Sequence, residues 1–186
     1  DLMRYPGVPE TIVGLEEETL SHWTKEDLFQ KTLQSNTDSD NFVFYEGPPT
    51  ANGRPGLHHI ISRTIKDLVC RFRTMEGFRI TRIAGWDTHG LPVEHEIEKE
   101  LGIFDKKLIE EQIGVSDFTR RCKQSVMRYI GDWEIMTERM GFWVDLKDAY
   151  YTLNNDYIES VWPLLKVIWE KGLIYQDYKV VPYDPR

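Results

Sequence analysis

The chain has 186 residues and a formal net charge of −8, with 40% hydrophobic and 12% aromatic residues. This composition is typical of a folded protein with a sizeable core, and the acidic charge excludes a protein that coats nucleic acid with its whole surface. We find no run of eighteen apolar residues and no apolar signal segment in the first thirty, so we expect a soluble cytoplasmic protein. Cys70 and Cys122 are widely spaced and form no metal-ligand pattern, which favours two buried free thiols over a disulfide.

The spacing of apolar residues predicts alternating helices and strands. In chain order the predicted elements are a helical segment over 12–34 with a second helix start at Thr24–Asp27, a loop over 35–41, a buried strand over 42–45, an amphipathic helix over 58–76, a second strand over 78–84, helices over 92–101, 116–140 and 156–171, and one or two strands over 173–183. Gly77, Gly102 and Gly172 are predicted to end the helices before them. The first two strands flank one helix, so they form a βαβ unit and run parallel. The sequence therefore predicts an α/β fold with a parallel sheet.

The loop after the first predicted strand has the composition of a phosphate site. Residues 47–59 contain three glycines and three prolines and end on His58 and His59, where a helix is predicted to begin. Ligands of open parallel sheets bind outside the carboxyl ends of the strands, and a helix N-terminus favours anions. Histidine pairs usually cap helices or lie on surfaces, but the glycines here favour a nucleotide site in which imidazoles donate to phosphate oxygens. The segment is neither a Walker A loop nor a G-x-G-x-x-G fingerprint.

A second turn, residues 85–90, follows the second predicted strand. Asp87 is a candidate for holding an ammonium group, because a partly desolvated carboxylate favours a cationic partner. Trp86 is interpreted as a core residue, whereas for His89 a structural role and a substrate contact are equally open. The stretch from residue 54 to residue 82 holds seven basic and two acidic residues, which fits either a surface for an anionic ligand or a solvated helix face.

Three segments together resemble the isoleucyl-tRNA synthetases, which are class I aminoacyl-tRNA synthetases. They are residues 44–53 (Phe-Tyr-Glu-Gly-Pro-Pro-Thr-Ala-Asn-Gly), Lys66-Asp67, and residues 85–94 (Gly-Trp-Asp-Thr-His-Gly-Leu-Pro-Val-Glu). The resemblance covers nearly the whole chain, and leucyl and valyl relatives carry different residues around both turns. It implies an N-terminal helical extension over 1–41, followed over 42–186 by the first half of a Rossmann-like catalytic domain that ends near the insertion point of the editing domain.

The resemblance also implies a role for each loop. In the family, the first loop and its histidine motif bind ATP, while the Gly-Pro segment and the Trp-Asp turn bind the amino acid. The implied ATP-binding residues are Asn52, Gly53, Gly56, His58 and His59, of which Gly56, His58 and His59 form the catalytic motif, and the implied amino-acid-binding residues are Gly47, Pro48, Asp87 and His89. Mg²⁺ would accompany ATP without a protein metal motif in this chain, and zinc is possible elsewhere in full-length relatives.

One motif departs from the family pattern. The family carries His-x-Gly-His, whereas this chain reads Gly56-Leu57-His58-His59, so the first histidine and the glycine have exchanged places. His59 keeps its position. One hypothesis is compensation, in which His58 turns toward the phosphates and the missing Cβ of Gly56 leaves room for it; the alternative is a weakened or inactive site. We favour compensation because the other motifs are intact.

The resemblance implies that L-isoleucine is activated with ATP to isoleucyl-adenylate, with release of pyrophosphate, and is then transferred to tRNA(Ile). We expect a monomer without membrane contact. The Lys-Met-Ser-Lys-Ser motif is absent from these residues, as are the editing and anticodon-binding domains, so we expect the isolated chain to be inactive. Two alternatives remain: a sibling synthetase for valine or leucine, and a nucleotide-binding paralogue that has lost turnover.

Overall fold

The structure, a computed structural model, describes residues 11–103 and 105–182. In chain order its elements are helix α1 (Ile12–Lys25), α2 (Leu28–Ser35), α3 (Leu57–Met75), strand β1 (Ile83–Trp86), α4 (Leu91–Leu101), α5 (Lys106–Leu108), a π-helical turn (Ile109–Ile113), α6 (Val115–Arg139), β2 (Asp145–Tyr151) and α7 (Asn155–Glu170). The predicted α/β character is confirmed. No helix in the described part of the chain is both long and apolar enough to cross a membrane.

The helices follow the predicted periodicity closely. The predicted break in the first helical segment is present, since Asp27 adopts a left-handed conformation with φ of 51° between α1 and α2. The new helix start indicated at Thr24 is wrong, because Thr24 lies inside α1, where its hydroxyl donates to the Leu20 oxygen, and Asp27 is the N-cap of α2. Thr11 caps α1, its hydroxyl accepting the backbone N–H of Gly14 at 3.1 Å. The predicted helix-ending glycines are confirmed as well, since their φ angles of 98°, 67° and 68° are left-handed; they are Gly77, Gly102 and Gly172.

The sheet differs more from prediction. β1 and β2 pair in parallel, with Gly85 opposite Tyr150 and Trp86 opposite Tyr151. The prediction of a strand over 42–45 is wrong: pairing there is limited to one parallel bridge between Asn41 and Arg79. The next backbone bridge along this segment is the one between Thr50 and Asp87, so no ladder of successive bonds forms over residues 42–45. The strand predicted over 78–84 lies instead at Ile83–Trp86, and β2 was not predicted at all.

The prediction of strands after α7 is wrong for residues 173–182, which form no regular structure; residue 183 lies outside the described residues. A strand requires a hydrogen-bonded neighbour, and this segment has none among the described residues. Its apolar side chains are accordingly exposed, with Tyr178 and Val180 almost entirely accessible. Composition alone did not reveal that the pairing partner was missing.

The chain forms two units. Unit 1 contains the residues up to Tyr45, Gly56–Arg82 and Met136–Val144, and unit 2 contains Glu46–Pro55, Ile83–Ile135 and the residues from Asp145 onward. The domain boundary predicted after residue 41 stays a prediction. In unit 2, the core beside α4 and α6 is aliphatic and aromatic, formed by Ile97, Ile103, Ile109 and Phe118.

Three arginines of unit 1 form hydrogen bonds, an ion pair and a ring contact within that unit. Arg63 is 3% exposed and donates to the hydroxyl of Thr137 at 2.7 Å. Arg71 pairs with Asp67 at 2.7 Å and lies 3.7 Å above the Trp143 ring. Arg82 is also buried, and donates to backbone and hydroxyl oxygens of α3. Part of the basic stretch is therefore neither a ligand surface nor a solvated face but packing within unit 1.

Both cysteines are thiols, as predicted from their spacing. Cys70 is buried in α3, and Cys122 is half-buried in α6. Burial raises the pKa of the Cys122 thiol, with Glu94 and Glu98 adding to the effect. Within residues 11–103 and 105–182, no group of three or more histidine, cysteine or acidic residues could hold a metal ion.

Candidate active site

The loop that carries Gly47, Pro48, Asn52 and Gly53 is fixed at both ends within unit 2. At its start, the hydroxyl of Tyr150 donates to the backbone oxygen of Glu46 at 3.0 Å. Toward its end, Trp133 donates from Nε1 to the backbone oxygen of Gly53 at 2.9 Å. Both anchors were missed in the sequence, because they lie 104 and 80 residues away from the atoms they hold.

The middle of the loop lies alongside the end of β1. Thr50 and Asp87 form a parallel bridge, in which Ala51 N–H donates to the Asp87 oxygen and Asp87 N–H donates to the Pro49 oxygen, both at 3.0 Å. The backbone of the Gly-Pro loop and that of the Asp87 turn are thus held in a fixed register. The turn that holds Asp87 follows a strand, as predicted, whereas the Gly-Pro loop follows none, because no strand forms over residues 42–45.

The carboxylate of Asp87 is oriented by hydroxyl groups. Oδ2 accepts from the hydroxyl of Thr50 at 2.8 Å, and Oδ1 lies 3.5 Å from the hydroxyl of Thr152. The side chain remains 33% exposed, and the nearest cationic candidate among the described residues is His89, whose Nδ1 lies 3.9 Å from Oδ1. A partly exposed carboxylate with one oxygen tethered at 2.8 Å and the other held only by a long contact can accept an ammonium group.

His89 is more exposed than Asp87, with 58% of its side chain accessible. It lines a cavity of about 160 Å³, whose other lining residues include Val93, Phe118 and Cys122. Its neighbour Trp86 is fully buried and packs edge-on against Trp133, with ring centroids 6.4 Å apart, which confirms the interpretation of Trp86 as a core residue. The role of His89 stays open between structure and substrate contact.

Gly85 is required by packing. A Cβ at this position would overlap the ring of Tyr150, which stacks on Tyr157 with an interplanar angle of 5°. By contrast, a Cβ added at Gly47 or Gly53 meets no atom of the described residues within 4 Å, and neither residue has a positive φ. Local packing therefore explains Gly85, whereas the two loop glycines need another reason, such as close approach of a ligand.

In unit 1, His59 caps the helix it belongs to. Gly56 is the N-cap of α3, and its backbone N–H donates to Nδ1 of His59 at 2.9 Å. His59 thus takes the part that glutamate or glutamine plays in a capping box. Because Nδ1 accepts, the neutral ring carries its proton on Nε2. Burial, followed by the neighbouring His58, lowers the pKa of His59 from its ordinary value of 6.5, which favours this neutral form.

His58 occupies the space beside the Gly56 α-carbon. The two imidazole rings are 3.8 Å apart between centroids, and His58 is the more exposed of the pair. A Cβ on residue 56 would lie 3.0 Å from Cε1 and 3.1 Å from Nδ1 of His58. The glycine at position 56 and the histidine at position 58 are therefore sterically matched.

The residues predicted to form the site fall in both units. The structure brings together one group in unit 2, formed by Gly47, Pro48, Asn52, Gly53, Asp87 and His89, and a second group in unit 1, formed by Gly56, His58 and His59. Four further residues that hold the loop and the Asp87 carboxylate were not predicted from the sequence: Thr50, Thr152, Tyr150 and Trp133. Only Thr50 lies inside one of the three segments that carry the family resemblance, residues 44–53, so it alone could have been suspected from the sequence.

A family model described as tRNA synthetases class I (I, L, M and V) matches residues 18–186. The chain belongs to this family. The class I resemblance that the motifs indicated is thereby confirmed. The chain is 51% identical over 172 residues to the isoleucine–tRNA ligase of Dehalococcoides mccartyi strain CBDB1, covering 92% of this chain and 17% of that protein. It is 50% identical over 183 residues to isoleucine–tRNA ligase 2 of Bacillus thuringiensis subsp. konkukian strain 97-27, covering 98% of this chain and 18% of that protein.

A solved structure supports the fold of this synthetase chain. The ternary complex of Agrobacterium radiobacter K84 agnB2 LeuRS with tRNA and LeuAMS matches with a TM-score of 0.62 and 18% identity, covering 87% of this chain and 18% of that chain. At this identity the likeness shows the fold alone. The chain spans about one sixth of the length of the curated relatives it matches.

Proposed function

We propose that the full-length protein to which this class I synthetase chain corresponds is an isoleucine–tRNA ligase. It activates L-isoleucine with ATP to isoleucyl-adenylate, releases pyrophosphate, and transfers the isoleucyl group to tRNA(Ile). The observation that carries this proposal is the sequence identity of about 50%, over more than nine tenths of the chain, to relatives named isoleucine–tRNA ligase.

The amino acid binds to the group of residues in unit 2. Asp87 holds the α-ammonium group, and Gly47 and Pro48 line the space for the side chain, with His89 as a further contact. The partly exposed carboxylate supports the first assignment, and the open space beside Gly47 supports the second. A hydrophobic pocket separates isoleucine from valine only modestly, so the full-length enzyme needs a separate editing site.

In unit 1, ATP contacts Gly56, His58 and His59 at the start of α3. For Asn52 and Gly53 of the loop, contact with ATP is what the family resemblance implies. The isoleucine carboxylate attacks the α-phosphorus, a new P–O bond forms, and pyrophosphate leaves with the bonding electrons. His59 donates from Nε2 to a phosphate oxygen as negative charge builds there, which its lowered pKa and fixed tautomer support. Catalysis is mainly positioning and electrostatic stabilisation, and Mg²⁺, where it accompanies ATP, would neutralise the charge of the leaving phosphates.

The exchanged motif remains active through compensation. His58 supplies the imidazole that the family places two positions earlier, and Gly56 leaves the room for it. The contact of 3.0–3.1 Å between the His58 ring and the position of a Cβ on residue 56 supports this assignment. A weakened site remains the competing hypothesis.

ATP–pyrophosphate exchange by the full-length enzyme, measured with isoleucine, valine and leucine, tests the proposal. We expect the highest kcat/KM with isoleucine. Preference for valine or leucine would identify a sibling synthetase, and ATP binding without exchange would identify a paralogue without turnover. The cytoplasmic location, the monomeric state and the division into residues 1–41 and 42–186 are proposals as well; light scattering on the purified enzyme checks the monomeric state.

A further inference from the structure

We propose that Thr50 and Thr152 are positioning residues that hold the carboxylate of Asp87 in the orientation that receives the α-ammonium group of the amino acid. This inference rests on the proposed function. The sequence motifs point only to Asp87, whereas the structure adds a hydroxyl on each side of its carboxylate, one from the Gly-Pro loop and one from the residue that follows β2.

Thr50 fixes one oxygen of Asp87. Its hydroxyl donates to Oδ2 at 2.8 Å, and the same two residues are already paired through their backbones. The backbone bridge sets the position of the Thr50 side chain, so the hydroxyl reaches Oδ2 without ordering a free segment. One carboxylate oxygen is thereby committed, which leaves Oδ1 as the oxygen for a ligand.

Thr152 supports Oδ1 through a chain of hydroxyl groups. The backbone N–H of Leu153 donates to the Thr88 hydroxyl at 3.0 Å, and the backbone N–H of Thr88 donates to the Thr152 hydroxyl at 2.9 Å. The two hydroxyl oxygens are 3.2 Å apart, and both side chains are almost fully buried. Because an ionised carboxylate only accepts, the contact between Thr152 and Oδ1 has the Thr152 hydroxyl as donor, and the Thr88 hydroxyl is then the donor to Thr152.

The last contact of this chain, from Thr152 to Oδ1, is long at 3.5 Å. A contact of this length restrains the carboxylate without occupying Oδ1 fully, because hydrogen bonds weaken steeply beyond ordinary distances. Without the two threonines, the carboxylate could rotate toward His89, whose Nδ1 is 3.9 Å from Oδ1. The hydroxyl groups therefore act on ammonium binding through Asp87 and not through the substrate.

Thr50→Val in the full-length enzyme is the main test, because it removes one hydroxyl at nearly constant volume. We expect the KM for isoleucine in pyrophosphate exchange to rise roughly tenfold, as for a lost hydrogen bond to a charged group, with kcat and the KM for ATP nearly unchanged. Thr50→Ser restores the hydroxyl and is expected to recover the KM. Thr24→Val is the matched control, since the Thr24 hydroxyl bonds only within α1, to the Leu20 oxygen at 3.0 Å.

Thr152→Val leaves the buried N–H of Thr88 without its acceptor, so its thermal unfolding is measured beside its kinetics. A ligand pair then separates positioning from general damage. Isoleucinol carries the ammonium group, and 3-methylpentan-1-ol lacks it. We expect both valine variants to raise the inhibition constant of isoleucinol roughly tenfold and to leave that of the amine-free alcohol within about twofold.

Each contrary outcome has a distinct meaning. Unchanged isoleucinol inhibition in both variants overturns the positioning role, and so does an equal loss for both alcohols, because a merely structural defect weakens both. If the wild-type enzyme shows no isoleucine-dependent exchange, the proposed function is overturned and the inference with it. Normal wild-type exchange together with unaffected variants overturns the inference alone.

Discussion

Replacing Gly56 with alanine tests whether His58 works because residue 56 has no side chain. The new Cβ would lie 3.0 Å from Cε1 and 3.1 Å from Nδ1 of His58, so the ring must move by roughly 0.5 Å to reach ordinary carbon contact distances. As Gly56 is also the N-cap of α3, the substitution costs up to about 1 kcal/mol of helix stability. The new Cβ therefore displaces the His58 ring directly, in addition to its effect on the helix cap.

The assay is ATP–pyrophosphate exchange in the full-length enzyme, arranged as a double-mutant cycle. His58→Ala removes a donor to a charged phosphate and is expected to lower kcat/KM for ATP roughly tenfold or more. Gly56→Ala is expected to lower it about threefold to tenfold on its own and less than about twofold in the His58→Ala background, because it acts through the ring. Gly131→Ala, where a Cβ meets nothing within 4 Å, is the matched control.

Two results would refute this reasoning. An exchange rate that is unchanged in His58→Ala excludes compensation, because the ring would then contribute nothing. Fully additive effects of the two substitutions would show that Gly56 and His58 act independently, contrary to the close contact between the His58 ring and the position of the new Cβ.

The remaining predictions concern the rest of the site. Inhibitors that fill both the adenylate and isoleucine pockets should act differently on the wild type and on a Gly56→His/His58→Gly double variant; equal inhibition would count against the steric match. Tyr150→Phe removes the hydroxyl that donates to the Glu46 oxygen at 3.0 Å, and steady-state kinetics should show a KM for isoleucine raised about threefold to tenfold with the KM for ATP unchanged. Burial lowers the pKa of His59 from 6.5, so the folded state binds fewer protons at this ring than the unfolded state does. The stability that the neutral ring contributes is therefore lost as the pH falls below 6.5. An NMR titration of the ring with a midpoint at or above 6.5 would contradict this.

The sequence predicted what depends on local periodicity. Helices α3, α4, α6 and α7 lie within about a residue of their predicted bounds, because apolar spacing and helix-ending glycines are local signals. The strands were predicted less well. β2 has no distinctive alternation of apolar residues, and residues 173–182 have strand-like composition without a neighbouring strand among the described residues. Strand formation depends on a partner, which composition does not reveal.

In the candidate site too, residues in local motifs were predicted, whereas residues that act through contacts distant in sequence were not. Asp87 and the glycines lie in recognisable motifs, so sequence reasoning reached them. Thr152 and Tyr150 hold Asp87 and Glu46 from 65 and 104 residues away, and nothing near them in the sequence indicates those contacts. For the histidine pair, the sequence favoured phosphate binding over helix capping, whereas the structure shows that His59 does cap α3, by accepting the N–H of Gly56.

The most direct test of the account is isoleucine activation in the full-length enzyme with and without the carboxylate of Asp87. Asp87→Asn keeps the size of the side chain but removes the negative charge. We predict isoleucine-dependent pyrophosphate exchange in the wild type and a kcat/KM for isoleucine lowered roughly hundredfold in the variant, with the KM for ATP changed less than about threefold. A wild type that exchanges pyrophosphate only with another amino acid, or a variant as active as the wild type, would contradict it.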